Sequence, residues 1–561
     1  MDAPQNSFSK IKDKLSQMRR EAEERDAKRR GEKTGFPYAD LSTTSINIEA
    51  LALIPEEEAR KAKLAATEFK EKKVALVVYD SENAETKKTI ERLKAEGYKL
   101  SVFTASLSGL NHIWDFYKFV SKKQENITGR IKIEEKKLLE LKDKLVSLKS
   151  ISDAIGEFNE KPGYTGEIVE IVLAGALSMR ASDIHFEPSQ HSARIRLRID
   201  GLLYDAFSQL KLKAHESLVS RIKLLSKLKI NVNDQAQDGR FTIAFSNKEI
   251  EIRTSINPSE FGETIVLRIL NPDAIHVSLP QLGFRKDDLE IVERELGKPN
   301  GMILNTGPTG SGKTTTLYAF LQHTQKPESK TITIEDPIEY HLEGIEQTQV
   351  EPGAGYTFSS GLRSLLRQDP DMILIGEIRD LETAEIAIHA SLTGHLVFST
   401  LHTNDAAGAI PRMIDLGVKT SVLAPAVNLI IAQRLIRKLC ENCKVEKKLD
   451  AEMEEKIKKF IDKLPDKIDK DFYKSNIKIF EPKGCDKCNN LGYKGRIGVF
   501  ELLIVDGDME LLVGKDPTEI GIKELAEKKG MVLMQEDGIL KVISGITSFD
   551  EVEKATGTLE F

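Results

Sequence analysis

Apolar positions follow several different rhythms along this chain. Near the start, Phe8, Ile11, Leu15 and Met18 recur at helical spacing inside a strongly charged stretch, which predicts an amphipathic helix seeking a modest surface. That surface is its own domain or, alternatively, a membrane face or a partner. From residue 41 to about 120 the rhythm is that of a compact α/β unit. Residues 74–78 and 98–103 read as strands, 84–95 as a helix, and Trp114, the single tryptophan, as a core anchor in a helix over 110–120. Residues 125–150 set Ile131, Ile133, Leu138, Leu139, Leu141, Leu145 and Leu148 among Lys and Glu, predicting one long amphipathic connector helix. Pro162 and two glycines within 159–166 then break it.

Beyond the break, an apolar helix runs through Met179, and 193–199, 240–244 and 249–254 alternate as half-buried strands do. A short linker leads to a third pattern. Residues 302–305, 331–334, 372–375 and 396–399 are short, continuously apolar runs separated by helical stretches, as a parallel sheet covered on both faces requires. This domain is expected to run to about Lys438. No apolar run approaches the roughly 20 residues needed to cross a bilayer, and the charged residues 1–31 lack a signal-peptide core.

Length adds that 561 residues exceed one ordinary core and call for about three to five units. The composition, 40% hydrophobic and 30% charged, is that of a folded soluble protein. A net charge of -6 gives no global attraction to phosphate polymers, so no nucleic-acid partner is expected. The four cysteines all fall in Cys-x-x-Cys pairs, which fits a reducing cytoplasm.

Chemistry concentrates after the first apolar run of the parallel-sheet domain. Gly307, Pro308, Thr309, Gly310, Ser311, Gly312, Lys313 and Thr314 complete a phosphate-loop pattern between a strand and a helix, and Thr315 follows. The glycines let backbone amides face phosphate oxygens, Lys313 supplies positive charge, and the Thr314 hydroxyl is the expected magnesium ligand. Glu335 and Asp336 end one predicted strand and Glu377 closes another, so all three can approach the same crevice. One carboxylate is expected to orient water and another to hold magnesium through its water shell. Glu377 is the first choice for water, Glu335 the next, and Asp371 reads more readily as a solvated strand-end residue. His395 and His402 bracket the last short strand. Each is either a histidine satisfying a buried carbonyl or a γ-phosphate sensor, the latter favoured for His402. Cys440 and Cys443, then Cys485 and Cys488, make two knuckles able to complete a tetrahedral all-sulfur zinc site; the competing reading is a redox pair. Lys438, Lys444, Lys483 and Lys487 are available to offset its negative charge.

These elements in this order resemble the secretion ATPase superfamily, in particular the type IV pilus assembly ATPases and the closely similar type II secretion ATPases. TITIEDPIEY at 331–340 looks like the family's aspartate box, MILIGEIRD at 372–380 its Walker B segment, and TGHLVFSTLHTN at 393–404 its histidine box. The likeness is strong over 160–561 and weak over 40–120. ASDIHFEPSQHSARIRLRIDGLLY at 181–204, with Gln237, Asp238, Gly239 and Arg240, is similar to the family's second amino-terminal domain. Arg253 and Arg268 occupy positions from which relatives send arginines toward nucleotide phosphates, or else form salt bridges within the sheet. Arg363 and Arg367, four apart, suit subunit contact or phosphate sensing.

The resemblance implies an α/β fold with a RecA-like parallel-sheet P-loop ATPase domain, smaller α/β domains before it, and a tetracysteine metal-binding subdomain and helical tail after it. The expected divisions are 1–40 charged helix and linker, 41–120 amino-terminal α/β domain, and 121–160 helical linker. Then come 161–275 PAS-like α/β domain, 276–438 ATPase domain, 439–498 zinc-binding subdomain and 499–561 helical region. It further implies a homo-hexamer using ATP, Mg2+ and Zn2+ that drives an inner-membrane platform protein from the cytoplasmic side. Pilus assembly is the first reading of its task and type II secretion the second. Weaker competitors are an ATP-binding scaffold with little turnover and a nucleic-acid translocase. Residues 9–31 lack the repeated leucine and glycine pattern with which some relatives bind a cyclic dinucleotide, so no such regulation is expected.

Overall fold

The computed structural model describes residues 20, 22–41, 47–70, 72–119, 130–131, 135–159, 165–245, 248–271 and 277–559. The helix expected at Phe8 to Met18 lies outside them. The chain divides into two compact units, one made of residues up to Ile199 with Leu203–Ile269, the other of the remainder, chiefly Leu270–Phe561.

In the first unit a helix over residues 22–34 lies on the domain that follows it. Ala27 is fully buried, and the Glu24 carboxylate accepts hydrogen bonds from Tyr38 Oη and Ser106 Oγ, both at 2.6 Å. Arg30 donates to the Tyr79 carbonyl and stacks over its ring. Three strands follow: β1 (Leu64–Lys70), antiparallel to β2 (Lys73–Val78), which runs parallel to β3 (Lys99–Thr104). The helix Ala84–Ala95 begins at an Asn83 cap, whose side chain accepts from the Glu85 amide. Trp114 ends the helix Leu107–Trp114 with its indole N–H on the Leu64 carbonyl at 3.1 Å, which makes it the anchor expected of it.

The single connector helix expected over 125–150 does not form. Glu135–Lys144 and Leu148–Asn159 are separate helices, because Ser147 and Ser150 each donate a backbone N–H to the other's hydroxyl at 3.1 Å and end one helix while starting the next. Both pack on the helix Thr165–Ser178, and β4 (Arg130–Ile131) pairs with a strand of the next sheet. This segment is therefore a layer of the following domain as well as a connection to it. The sheet there comprises β4, β5 (Asp183–Pro188), β6 (Ala193–Ile199), β7 (Leu202–Leu210), β8 (Gln237–Phe245), β9 (Lys248–Ser259) and β10 (Gly262–Leu270), in the order β4-β8-β9-β10-β5-β6-β7. Period-two burial in β6 sends Ala193, Ile195, Leu197 and Ile199 inward and its arginines outward.

The second unit holds the predicted parallel sheet and two strands beyond it. Its members are β11 (Gly301–Thr306), β12 (Thr331–Glu335), β13 (Glu346–Gln349), β14 (Met372–Ile375), β15 (Leu396–Leu401), β16 (Val427–Leu439) and, after the small hairpin strands β17 (Val445–Lys447) and β18 (Ile479–Glu481), β19 (Tyr493–Ile504). The order is β13-β12-β14-β15-β11-β16-β19, all parallel except β19, which runs antiparallel to β16. Every residue of β11, β12, β14 and β15 is buried, because helices and their cores cover both faces. The region after residue 499, expected to be helical, begins inside β19. Only then come the helices Gly507–Lys515, Glu519–Lys528, Met534–Ile543 and Phe549–Thr556. Among the described residues no helix is long and apolar enough to cross a membrane.

A buried ionic cluster ties distant parts of this unit together. Arg285 reaches Asp537 Oδ1 at 2.8 Å and Asp288 Oδ2 at 2.7 Å, while Lys541 meets Asp537 Oδ2 at 2.5 Å. The Phe500 amide of β19 also donates to Asp537, and Lys467 reaches Asp287 at 3.2 Å. Asp537 is completely buried, so its removal would leave the Lys541 ammonium without its carboxylate in a low-dielectric interior and take one of three carboxylates from Arg285. We expect Asp537→Ala to cost about 3–5 kcal/mol, read as a lower urea midpoint, whereas Lys456→Ala, which breaks an exposed pair with Glu452, leaves the midpoint where it is in the parent.

Candidate nucleotide site and cysteine cluster

The phosphate loop leaves β11 at its carboxyl end and turns into the helix Lys313–Thr324. Gly307 has φ 148°, and a β-carbon there would lie 2.5 Å from the Gln433 carbonyl oxygen and 2.7 Å from Ser311 Oγ. Gly310 and Gly312 also take positive φ, as a loop that aims successive amides inward must. Beneath it, Gln433 Oε1 accepts from Asn305 Nδ2 at 3.0 Å and from Thr316 Oγ1 at 2.8 Å, all buried. Lys313 Nζ donates to the carbonyls of Gly307 and Pro308 at 2.8 and 3.1 Å. Burial holds its ammonium below the ordinary lysine range; Glu377 opposes this and Arg434 adds to it. Thr309 and Gly310 are exposed at the loop's tip, Ser311 is buried, and Thr314 and Thr315 open the helix, Thr314 exposed.

Parallel register decides which other candidates join this site. Gly301 pairs with Leu396 and Thr306 with Leu401, so His402 leaves β15 on the same edge as the phosphate loop. Its Nε2 lies 3.5 Å from Glu377 Oε2, and Arg379 pairs with the same carboxylate. Thr403, next along, donates its amide to Thr306 Oγ1 at 2.8 Å, with the two hydroxyls 2.7 Å apart. His395 instead precedes β15 at the opposite edge, roughly 20 Å away at a strand rise of about 3.3 Å per residue. Its Nδ1 meets the Ala390 carbonyl at 2.9 Å, so its phosphate-sensing reading gives way to the structural one. Asp371 lies on that far edge too, accepting the Lys330 amide at 2.6 Å.

Glu335 ends β12 on the phosphate side, yet both its oxygens are engaged. Tyr318 Oη donates to Oε2 at 2.5 Å, and Thr333 and Gln347 donate to Oε1 at 2.6 and 3.1 Å. Burial and this carboxylate push the Tyr318 hydroxyl well above the usual tyrosine range. Asp336 is exposed beyond it, joined to Pro337 by a cis peptide. Glu377 is only partly covered and electrostatically coupled to Lys313, a more open arrangement than that of Glu335.

Arg253 on β9 and Arg268 on β10 belong to the first unit, where Arg253 Nε faces Glu251 at 3.5 Å and Arg268 Nε reaches Asp183 at 3.2 Å. These are the within-sheet ion pairs that were the alternative for them. Arg363 pairs with Glu382 at 2.5 Å from the helix Phe358–Leu365, but Arg367 falls in the following 3-10 turn, so the two do not share one α-helical face. The residues that sequence reasoning missed are Gln433 and Arg434. The pairing of Thr306 with Ala432 sets them level with Gly307, a placement set by sheet order, with no local motif to announce it.

The four cysteines converge. Their sulfurs all lie within 4.8 Å of one another, with Cys440 and Cys485 at 3.9 Å and Cys443 and Cys488 at 3.7 Å, and all are free thiols. Cys488 Sγ accepts amide hydrogen bonds from Cys485 at 3.2 Å and Gly492 at 3.3 Å. Burial opposes its thiolate, yet these amides and the neighbouring thiols bring it down to about 7. A converging set of soft donors with amide support fits a tetrahedral metal and argues against a disulfide redox pair. Of the lysines, Lys444 turns to Glu441 and the Gly545 carbonyl, and Lys487 to Asn442.

The Gly307 contact makes a direct prediction. Gly307→Ala should weaken ADP binding by at least about tenfold, or ~1.4 kcal/mol, in isothermal titration, with the circular-dichroism spectrum unchanged.

Comparison with known proteins agrees with this geometry. Residues 160–554 match the family model described as Type II/IV secretion system protein. The type II secretion system protein E of Dickeya dadantii is 41% identical over 389 residues, 69% of this chain and 75% of its own. The type IV pilus assembly ATPase PilB of Thermus thermophilus is 35% identical over 521 residues, 92% of this chain and 56% of its own. Among solved structures, the Legionella pneumophila ATPase DotB superposes with a TM-score of 0.50 at 21% identity, covering 70% of this chain and 96% of that one, which speaks to fold alone. With its phosphate loop and carboxyl-edge acids on one mixed sheet and a four-cysteine cluster in the segment between two of that sheet's strands, this chain belongs to the type II/IV secretion system protein family.

Proposed function

We propose that this chain hydrolyses ATP to do mechanical work in a secretion or pilus-assembly machine, and that type II secretion is the better assignment. The observation that carries hydrolysis is Glu377, which meets His402 and acts on Lys313 at the edge where the phosphate loop opens. Lys313 and the loop amides hold the phosphates, Thr314 offers its hydroxyl to Mg2+, and Asp336, exposed just beyond β12, is the candidate to bind through the ion's water shell. Bound Mg2+ would offset charge on the transferring oxygens. Glu377 orients the attacking water. Glu335, with both oxygens engaged, braces the end of β12 and ranks behind it. Arg253 and Arg268 are the arginine-finger candidates, since a guanidinium fork suits the charge that spreads over transferring oxygens.

Pilus extension was the first expectation from sequence. Similarity shifts the preference: the first relatives found are type II secretion proteins at 40–41% identity over 75% of their length. A homo-hexamer delivering motion to an inner-membrane platform protein from the cytoplasmic side fits either task. Capture of the platform protein of a secretion or of a pilus machine by the full chain decides between them. Cys440, Cys443, Cys485 and Cys488 would hold a Zn2+ in a structural role, as four thiolates do.

Two measurements bear on these assignments. Lys313→Ala should lose both ATP binding and phosphate release, whereas Glu377→Gln should keep ATP affinity within about threefold and lose ~100-fold or more in turnover; wild-type turnover in the glutamine variant rejects the role given to Glu377. Metal analysis of protein isolated without chelator should find one zinc per chain, and Cys485→Ser should lower it and loosen residues 440–488 in hydrogen exchange while the phosphate-loop helix stays protected. Protein free of zinc would overturn the metal assignment.

A further inference from the structure

Arg434 is a half-buried cation that no part of the proposed chemistry yet uses. It follows Gln433 on β16, and its Nη1 would lie 3.2 Å from a β-carbon on Gly307, against the first glycine of the phosphate loop. Its other terminal nitrogen donates to Asn404 twice, to the backbone carbonyl at 3.1 Å and to Oδ1 at 3.3 Å, while Nη1 donates to the Gln433 carbonyl at 3.3 Å. Asn404 sits two residues after His402, and Thr403 between them is already bonded to Thr306 at the base of the phosphate loop. The segment 402–405 is thus tethered on both sides, by a hydroxyl pair to β11 and by a guanidinium fork to β16.

We propose that Arg434 is a positioning residue for ATP hydrolysis: by clamping Asn404 it fixes the loop that carries His402, and through His402 the Glu377 carboxylate, against the phosphate loop. This rests on the reading that ATP is turned over here. A forked, planar donor suits the task because Nη1 is held on the Gln433 carbonyl while Nη2 reaches Asn404, a fixed spread of donors that an ammonium on a flexible stem lacks. The charge has a second effect. Arg434 disfavours the charged form of Lys313, and Asp405 and Glu501 partly offset the burial that disfavours its own, so these four groups are balanced around one loop. Misplacement of a carboxylate by about 1 Å is enough to cost ~100-fold in rate without loss of binding.

The test uses the full chain, with steady-state phosphate release and titration of ADP, which has no transferring group. Arg434→Ala should lower kcat about tenfold or more while ADP affinity stays within about threefold, and Arg434→Lys should recover only a minor part. His402→Ala should lower kcat as well, and Arg434→Ala should cost less than about threefold when added to it, because both act through one loop. Should the alanine variant fail to fold, Arg434→Lys carries the same cycle. Wild-type kcat in the Arg434 variants, an inert His402→Ala, or costs that multiply in full would each overturn the proposal. Loss of ADP affinity in step with kcat would do so too, by making Arg434 a direct phosphate ligand. Absence of turnover in the wild-type chain would instead reject the ATPase reading on which the proposal stands.

Discussion

The Gln433 carbonyl oxygen stands where a side chain on residue 307 would have to begin, and much of the second unit follows from that contact. Backbone approach this close requires β16 directly beside β11, with β16 running on past Ala432, the partner of the last β11 residue, so that Gln433 lies level with Gly307. Once they do, the Gln433 side chain passes under the loop and satisfies Asn305 and Thr316, so a buried amide becomes the floor of a phosphate cradle. On the other flank β15 ends level with β11 and delivers His402 and Thr403 to the same edge. The cradle is shaped as much by its two neighbouring strands as by its own glycines.

Parallel order also explains which chemistry meets and which does not. Strand ends at one edge bring together Glu335, Asp336, Glu377 and His402 from segments far apart in sequence, as open parallel sheets do. The same geometry sends His395 and Asp371 to the opposite edge, where they satisfy backbone groups. A carboxylate's environment then separates the acids. Glu335 is saturated with donors, while Glu377 faces an imidazole, a guanidinium and the electrostatic reach of Lys313.

The four central strands were legible in sequence because burial on two faces demands uninterrupted apolar runs, and the phosphate loop because its pattern is local. The cysteine cluster was legible for the same reason, since two knuckles of fixed spacing announce it. Other features were hidden for physical reasons. Ala65 and Ala66 give β1 helix-favouring residues in place of branched ones, and Arg434 and Lys438 interrupt the run in β16. Ser147 and Ser150 end a helix that the leucine spacing alone would carry through. Sequence placed two histidines around one strand and left the structural and the sensing reading open for both, leaning to sensing only at His402, because the role of each depends on which edge faces the phosphates. Gln433 and Arg434 went unnoticed because their importance is a fact of strand order, β15-β11-β16, and no spacing along the chain encodes it.

The pairing of Leu439 with Tyr493 has a consequence of its own. The chain leaves β16 at Leu439 and returns to β19 at the residue directly opposite, so Cys440 to Gly492, with two helices set between the paired strands β17 and β18, is one long excursion from a strand pair. Stretching a hairpin loop from about five to about fifty residues costs only ~2 kcal/mol of closure entropy. The excursion is thus an insertion whose length closure entropy hardly limits; Lys467 and the buried Ile457, Phe460 and Ile461 dock it back onto the unit while β16 keeps its register behind the phosphate loop.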